Sequence, residues 1–229
     1  MNDINRAVIL AAGKGTRLKS LTQNKPKALM PVVGEPAIYH VIRRLVAQGI
    51  HDIAINIHHH AQQIRDVVGN GSKFNANIYY SEELALLDSG GGVRTAMDLL
   101  PRDENIAVYN ADIMSDINLH QLTQTCPTNG CALALVGNPK HNKDGDFSLQ
   151  DHQVSLQTPH VYTFSGVSVW NEDALKNYPA NTPFSLIKPI TDAIQNEMCT
   201  GLVHHGPWFD IGRPRDLIQA NHFYHSERL

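Results

Sequence analysis

The sequence of 229 residues has few cysteines, no excess of positive charge and no long apolar run. Its three cysteines, Cys126, Cys131 and Cys199, have no C-x-x-C spacing, which argues against a disulfide framework or a structural zinc site. Lys and Arg total 19 against 22 Asp and Glu, so the net charge of −3 does not favour nucleic-acid binding. The apolar run 7–12 is too short for a membrane span or signal peptide. We therefore expect a cytoplasmic protein that binds neither nucleic acid nor membrane.

The residues that are present favour one α/β domain spanning residues 1–229. Hydrophobic residues make up 42% of the chain, which is enough for a core. The apolar segment 6–12 is typical of a strand buried on both faces of a parallel sheet. Further strands are predicted at 52–57, 76–81, 106–109, 131–136, 162–170 and 201–205, and helices at 35–48, 61–68, 93–100, 119–125, 172–177, 185–197 and 215–223. This alternation predicts a mostly parallel sheet with ligands at the carboxyl ends of its strands, and a small β insertion near the polar stretch 138–153.

A cationic glycine loop follows the first strand. Residues 13–36 include Gly13, Gly15 and five basic side chains, Lys14, Arg17, Lys19, Lys25 and Lys27. Glycine lets backbone N–H groups approach an anion closely, and the guanidinium of Arg17 can bind two phosphate oxygens at once. The loop therefore predicts a triphosphate site, with a basic surface loop as the alternative. Leu18 stands where a dinucleotide-binding G-x-G-x-x-G motif needs its third glycine, and no P-loop motif is present.

Two aspartates follow apolar segments elsewhere in the chain. Asp112 comes after the segment 108–111, and Asp210 comes after Trp208 and Phe209. Carboxylate oxygens gathered at one rim of a sheet suit Mg²⁺ that is also held by substrate phosphates. For either aspartate alone, capping of the following segment is the alternative. The pair predicts a magnesium site beside the phosphate-binding loop.

Three consecutive glycines and a histidine cluster complete the candidate features. Residues 90–92 are all glycine and are predicted to open a helix whose first N–H groups are free for a nucleoside or sugar, with a flexible loop as the alternative. The chain has 13 histidines, three of them consecutive at 58–60. Because consecutive side chains at a strand end point in different directions, a zinc site is not expected there.

Residues 8–36, 110–112 and Asp210 resemble the sugar-1-phosphate nucleotidyltransferase family. The family motif LAAG-x-GTR-L begins here at Leu10, and its continuation KP-K-x-L-x-P-V begins at Lys25. The segments 145–147 and 163–166 extend the resemblance over nearly the whole chain. The resemblance implies a Rossmann-like (GT-A type) fold. It also implies a Mg²⁺-dependent reaction in which a sugar 1-phosphate attacks the α-phosphorus of a nucleoside triphosphate and releases pyrophosphate.

The resemblance further implies roles for individual residues. Arg17 and Lys27 would be catalytic, with Arg17 on the β- and γ-phosphates and Lys27 on the α-phosphoryl group. Asp112 and Asp210 would hold the metal. The expected nucleotide-binding residues are Ala11, Ala12, Gly13, Gly15, Thr16, Glu83, Ser89 and Gly90. The expected sugar-phosphate-binding residues are Asn110, Asp146, Ser165 and Gly166, with Lys143 as a further candidate.

Three departures from the family pattern bear on the substrates. Ala111 replaces a glycine, Glu83 replaces a glutamine that reads the base, and no lysine lies between Lys143 and Lys176, where relatives place one on the sugar phosphate. We expect UTP and N-acetylmuramate 1-phosphate as substrates, in peptidoglycan recycling. The alternatives are GTP with mannose 1-phosphate, dTTP with glucose 1-phosphate, or a non-catalytic nucleotide-sugar sensor. A monomer or small homo-oligomer is expected.

Overall fold

The protein is built around a nine-stranded sheet, and its computed structural model describes residues 4–226 without the side chains of Lys19 and Ser20. The predicted role of Lys19 therefore lies outside the described residues. Within this range the strands are β1 Arg6–Leu10, β2 Pro31–Val32, β3 Glu35–Pro36, β4 Asp52–Ile57, β5 Asn77–Glu82, β6 Asn105–Asn110, β7 Ile113–Ser115, β8 Cys131–Gly137, β9 Ser148–Gln150, β10 Gln153–Ser155, β11 Tyr162–Asn171, β12 Cys199–Val203 and β13 Trp208–Asp210. The helices are α1 Ala37–Val46, α2 Ala61–Val68, α3 Asp88–Met97, α4 Leu119–Thr125, α5 Glu172–Lys176, α6 Ile187–Gln195 and α7 Pro214–Ser226. None of these helices has both the length and the apolarity needed to cross a bilayer.

The central sheet is mostly parallel, as predicted. Its strand order is β5-β4-β1-β6-β11-β8-β12-β10-β9. The pairs β5–β4, β4–β1, β1–β6 and β8–β12 are parallel. Strand β11 runs antiparallel to both of its neighbours, and so does β10. The predicted β insertion is the β9–β10 hairpin, which extends one edge of this sheet.

Both faces of the sheet are covered, which explains the continuous apolar sequence of β1. Ala7 and Ile9 pack into a core cluster that includes helix α1, whereas Val8 packs into the cluster on the other face with helix α3. All three side chains are fully buried. Because successive side chains of a strand point to opposite faces, a strand between two helical layers has no position for an exposed polar residue.

Local sequence patterns predicted several element boundaries correctly and missed others. Strand β4 and helices α2 and α4 have the predicted bounds. Strand β1 ends two residues earlier than predicted, because the backbone N–H groups of Ala11 and Ala12 donate to Oδ1 of Asn56, at 2.6 and 3.3 Å. Strands β7 and β13 were not predicted, since three-residue strands contain too little periodicity to detect.

The strand directions bring the candidate residues to one edge of the sheet. Strands β1, β4, β5 and β6 are parallel, so their carboxyl ends lie together. Strand β11 enters at the same edge, because its residue Val167 pairs with Tyr109 near the end of β6. Strand β13 pairs with β7, which places Asp210 opposite Ile113 and therefore beside Asp112.

A buried ion pair anchors the opposite end of β1. The guanidinium of Arg6 is 1% exposed and donates to the carboxylate of Glu172 and to the backbone oxygens of Asn105 and Pro101. Burial by itself would raise the pKa of Glu172, but hydrogen bonds from Arg6 and Lys176 outweigh it and the pKa is lowered. The pair links β1 to β6 and to the start of α5.

We predict that Glu172→Gln lowers the free energy of unfolding by about 1–3 kcal/mol at neutral pH, because a buried guanidinium loses its counter-charge. Since the pKa of Glu172 is lowered in the folded state, its contribution is present above the ordinary carboxyl pKa of about 4.3 and is lost as the pH falls through the folded value. Urea unfolding at several pH values measures this. Glu82→Gln, which breaks the more exposed pair with Arg65, is the control; an equal effect of the two substitutions contradicts the prediction.

Candidate active site

Three charged side chains from distant parts of the chain meet at the carboxyl edge of the sheet. Nζ of Lys27 donates a hydrogen bond to Oδ2 of Asp112 and lies 3.4 Å from Oδ1 of Asp210. The side chains are 12%, 20% and 18% exposed in that order. Burial lowers the pKa of Lys27, and the carboxylate of Asp210 opposes that shift. The structure thus brings both predicted metal ligands and one predicted catalytic lysine into a single cluster, called here the Lys27 cluster.

The Lys27 cluster has the donor set of a divalent-cation site. Two carboxylates converge on one ammonium group, so the position between them already accommodates a cation. Carboxylate oxygens are the ligands that Mg²⁺ prefers, and Mg²⁺ commonly takes only one or two of them together with substrate phosphates. Within residues 4–226 no group of three or more His, Cys, Asp and Glu side chains is arranged to hold a metal. The two aspartates therefore fit a metal that arrives with a phosphorylated substrate.

Two glycines allow the Lys27 cluster to close. A β-carbon at Gly212 would lie 2.7 Å from Oδ1 of Asp210 and 2.8 Å from Nζ of Lys27, so any side chain there would push the charged groups apart. The N–H of Gly212 instead donates to the same Oδ1, at 2.9 Å. Gly15 has a φ of +63°, and a β-carbon there would lie 3.0 Å from Cβ of Lys27. Glycine at both positions is required by close approach to Lys27.

The remaining basic residues of the loop lie farther out. One terminal nitrogen of Arg17 is 3.9 Å from Oδ2 of Asp210, and its side chain is 57% exposed. Lys14, Thr16 and Lys25 are exposed. Of these described basic side chains, only that of Arg17 lies within 4 Å of a residue of the Lys27 cluster, and the others are exposed to solvent.

A cavity of about 410 Å³ lies on one side of the Lys27 cluster and is called here the nucleotide cavity. Its lining residues are Leu10, Ala12, Gly13, Asn56, Glu83, Leu86, Asp88, Ser89, Asn110 and Asp112. The space around the α-carbon of Gly13 is open, because a β-carbon there would have no heavy atom within 4 Å, and the φ of Gly13 is not positive. The fold itself does not require glycine at this position, so close approach of a ligand is the better explanation of Gly13.

A buried polar network supports the floor of the nucleotide cavity. Asn56 accepts from the N–H groups of Ala11 and Ala12, and its Nδ2 donates to Oε1 of Glu83 at 2.7 Å. Oε2 of Glu83 accepts from the N–H of Leu87 at 2.9 Å, and Glu83 is 4% exposed. Both oxygens of Glu83 are therefore engaged within the protein, and the N–H groups of Ala11 and Ala12 are also occupied. The predicted contacts of Ala11, Ala12 and Glu83 with a base stay predictions.

The three glycines at 90–92 lie inside helix α3, so the prediction that they precede a helix and present free N–H groups is wrong. The N–H groups of Gly90 and Gly91 both donate to the backbone oxygen of Phe184, at 2.9 and 3.0 Å. A β-carbon at Gly90 would overlap the Phe184 ring, and one at Gly92 would lie 2.5 Å from Nδ2 of Asn56. These glycines are explained by packing of the helix against its surroundings. Gly90 is buried, and Ser89 is the neighbour that lines the cavity.

A second cavity of about 410 Å³ lies on the other side of the Lys27 cluster and is called here the acceptor cavity. Its lining residues are Arg17, Asn110, Asp112, Ile113, His141, Asn142, Asp146, Thr163, Phe164, Ser165, Gly166, Trp208, Asp210 and Arg213. All four residues that were predicted to bind the sugar phosphate are among them. Asn110 and Asp112 line both cavities, so the two spaces meet beside the cluster.

Hydrogen bonds hold the acceptor cavity in shape. Asp146 accepts from Nδ2 of Asn142 at 3.0 Å and from the N–H of Phe164 at 2.8 Å. Nε1 of Trp208 donates to the backbone oxygen of Ser165 at 2.9 Å. Gly166 has a φ of +82°, and a β-carbon there would lie 2.6 Å from Nδ2 of Asn110. Asp146 therefore organises the wall of the cavity, and its carboxylate already has protein partners.

Other candidates lie away from both cavities. Lys143 is exposed and lines neither one. In the histidine cluster, Nδ1 of His58 bonds to the backbone oxygen of Glu83 at 2.7 Å, whereas Nε2 of His60 lies 3.3 Å from the backbone oxygen of Gln23. The side chains of His58 and His60 thus bond to different segments of the backbone.

Asn56, His141 and Arg213 are among the residues of the site that the sequence analysis did not predict. Asn56 is a polar residue in an otherwise apolar strand, which was a detectable signal for a buried hydrogen-bonding role. His141 and Arg213 line the acceptor cavity, and neither belongs to a motif that could have identified it. Their position depends on how two loops fold over the sheet edge.

Comparison with known proteins agrees with this class of site. A family model described as Nucleotidyl transferase matches residues 6–227. The chain belongs to this nucleotidyl transferase family. It is 36% identical to N-acetylmuramate alpha-1-phosphate uridylyltransferase of Neisseria meningitidis serogroup B, over 94% of this chain and 96% of that protein. It is 26% identical to mannose-1-phosphate guanylyltransferase of Mycobacterium tuberculosis, over 94% of this chain and 63% of that protein.

A solved structure shows the same fold. A Bacillus anthracis protein described as a glucose-1-phosphate thymidylyltransferase superposes with a TM-score of 0.83, covering 95% of this chain and 94% of the other. The two sequences are 21% identical, so the likeness concerns the fold alone. It confirms the predicted single-domain α/β nucleotidyltransferase fold.

We predict that Asn56→Ala lowers the free energy of unfolding by about 1–3 kcal/mol, because two backbone donors and one carboxylate oxygen lose a buried partner. Chemical denaturation measures the change. Asn77→Ala is the control, since Asn77 is exposed and bonds Asp52 at the surface, and we expect a loss within about 0.5 kcal/mol. Equal losses for the two variants would show that the Asn56 network does not stabilise the fold.

Proposed function

We propose that the protein transfers a uridylyl group from UTP to N-acetylmuramate 1-phosphate, forming UDP-N-acetylmuramate and pyrophosphate in cell-wall recycling. The observation that carries this proposal is the Lys27 cluster, which lies where the nucleotide and acceptor cavities meet. The choice of these two substrates rests on the 36% identity to the Neisseria meningitidis uridylyltransferase over almost the full length of both chains.

In the proposed reaction, a phosphate oxygen of the sugar 1-phosphate forms a bond to the α-phosphorus of UTP. The bond from that phosphorus to the oxygen bridging the α- and β-phosphates breaks, and pyrophosphate leaves with this oxygen. The attacking phosphate is already anionic at neutral pH, so the reaction needs no general base. Phosphoryl transfer of this kind depends mainly on positioning and on neutralisation of charge.

The charged residues of the site supply these two requirements. Lys27 would bind the α-phosphoryl oxygens, and Arg17, which extends from the cluster into solvent, would bind the β- and γ-phosphates. Asp112 and Asp210 are the proposed ligands of Mg²⁺, which supplies positive charge to phosphate oxygens when bound. Gly13 and Ser89 would contact the nucleoside, and Asn110, Ser165 and Gly166 would contact the acceptor.

Guanylyl transfer to mannose 1-phosphate is the second candidate. It is favoured by the match to the mycobacterial guanylyltransferase over 94% of this chain, and by the engagement of both Glu83 oxygens within the protein. A Glu83 side chain that is held in this way gives little discrimination between bases. A purely regulatory nucleotide-sugar binder is a weaker candidate, because it would not need the Lys27 cluster.

The proposal is tested by pyrophosphate release in the presence of Mg²⁺. UTP, GTP and dTTP are each paired with N-acetylmuramate 1-phosphate, mannose 1-phosphate and glucose 1-phosphate. We expect the highest kcat/KM for UTP with N-acetylmuramate 1-phosphate and no turnover by Asp112→Ala, whose fold should persist because the lost group lies at the cleft. Preference for GTP with mannose 1-phosphate would support the second candidate instead, and full activity of Asp112→Ala would remove it from the site.

We predict that Lys27→Ala lowers kcat by about 10²–10³-fold, a larger effect than on nucleotide affinity, because its charge acts on the reacting phosphoryl group. The same substitution should strengthen binding of Mn²⁺ without nucleotide, since the ammonium no longer occupies the space between two carboxylates. Stopped-flow kinetics and Mn²⁺ paramagnetic resonance measure the two effects. Lys25→Ala, an exposed lysine of the same loop, is the control. An effect confined to nucleotide affinity would make Lys27 a binding residue only.

A further inference from the structure

A third cavity adjoins the acceptor cavity on the side away from the nucleotide. It has a volume of about 470 Å³ and is called here the outer cavity; its lining residues are Pro139, Lys140, His141, Trp208, Phe209, Asp210, Arg213, Arg215, Asp216 and Gln219. The two cavities share His141, Trp208, Asp210 and Arg213. A molecule in the acceptor cavity can therefore extend a substituent past Trp208 toward a wall with several basic side chains.

Arg213 is distinguished from the other partly buried arginines by its lack of a partner. Arg6 pairs with Glu172, Arg65 with Glu82 and Arg94 with Asp98, and Arg44 donates to the backbone oxygen of Asp116. The guanidinium of Arg213 makes neither a hydrogen bond nor an ion pair with any residue that the structure describes, although its residue is half-buried. The nitrogens of Arg213 are therefore available to an anion in either cavity, and a guanidinium binds carboxylates and phosphates through paired hydrogen bonds.

Three of the four acidic residues that line the acceptor and outer cavities already have partners. Asp112 and Asp210 contact Lys27, and both oxygens of Asp146 accept hydrogen bonds from the protein. Asp216 lines the outer cavity without forming an ion pair among the described residues, and it contributes negative potential at Lys27. Asp216 and Arg213 form no ion pair with each other among the described residues, so the guanidinium of Arg213 is open to an anion that enters either cavity.

The local structure holds Arg213 at this junction. It follows directly after Gly212, whose N–H donates to Asp210, and it precedes Pro214, the first residue of helix α7. Proline at the first helical position restricts the backbone, so the Cα of Arg213 has little freedom. His141 faces the same two cavities from the loop that follows β8.

We propose that Arg213, assisted by His141, binds a carboxylate of the acceptor sugar and thereby selects acidic sugar 1-phosphates. This inference rests on the proposed function and specifies its substrate class. Neither Arg213 nor His141 lines the nucleotide cavity, whereas the acceptor phosphate must reach the boundary of that cavity to be transferred. Arg213 and His141 also line the outer cavity, which Arg17 does not line, so we assign to them a second negative group on the side of the sugar away from the reacting phosphate. N-acetylmuramate 1-phosphate has such a group in its lactyl carboxylate.

The test compares two acceptors that differ in this group. N-acetylmuramate 1-phosphate has the carboxylate, and N-acetylglucosamine 1-phosphate has the same ring without it. For Arg213→Gln we expect the ratio of kcat/KM for the acidic over the neutral acceptor to fall about tenfold, mainly through KM, because one charge-assisted hydrogen-bonded pair is lost. Arg215→Gln is the matched control, since it removes the same charge from an exposed position of the outer cavity wall, and it should change the ratio less than about twofold.

The outcomes separate this inference from the proposed function. Calorimetric binding of each acceptor to the wild type and to Arg213→Gln gives the same comparison without turnover, and an unchanged melting temperature excludes unfolding. An unchanged ratio in Arg213→Gln, an equal loss for both acceptors, or an equal effect of Arg215→Gln would each overturn the carboxylate assignment while leaving uridylyl transfer intact. Absence of pyrophosphate release by the wild type would contradict the proposed function, and the binding ratio would still decide the role of Arg213.

Discussion

The site depends on the neutralisation of two mostly buried carboxylates by one ammonium group. Asp112 and Asp210 both contact Lys27, whose charge offsets the repulsion between two carboxylates in a medium of reduced polarity. The requirement for space around Lys27 accounts for glycine at positions 15 and 212. The pairing of β13 with β7 also builds the cluster, because it places Asp210 beside Asp112.

A buried hydrogen-bond network and the Lys27 cluster have different roles at the nucleotide cavity. The network of Asn56 and Glu83 is fully engaged in hydrogen bonds within the protein, so it gives the cavity a rigid floor. In the Lys27 cluster, by contrast, two carboxylates contact one ammonium group, and the proposed function assigns these carboxylates to a bound metal. Asn56 and Glu83 therefore bond within the protein, whereas Gly13 and Ser89 line the same cavity and are open to a ligand.

The two substrate cavities meet at Asn110 and Asp112, and this geometry is well suited to direct transfer between bound molecules. An attacking group in one cavity and a phosphoryl group in the other approach each other only at the shared boundary. Charge is distributed unevenly beyond that boundary, since Arg213 and His141 face only the acceptor side. In the proposed function, Arg213 and His141 act on the acceptor, whereas Lys27 and Arg17 act on the phosphates of the nucleotide.

The sequence by itself determined the mostly parallel sheet, the bounds of β4, α2 and α4, and the grouping of a cationic glycine loop with two aspartates, because periodicity and motif spacing are local properties. It could not reveal that Asn56 binds the backbone 45 residues earlier, or that the glycines at 90–92 accommodate Phe184 and Asn56. It also gave no sign of the unpartnered guanidinium of Arg213. Those features were decided by tertiary structure, since the partners of a buried polar group and the walls of a cavity come from segments that only folding brings together.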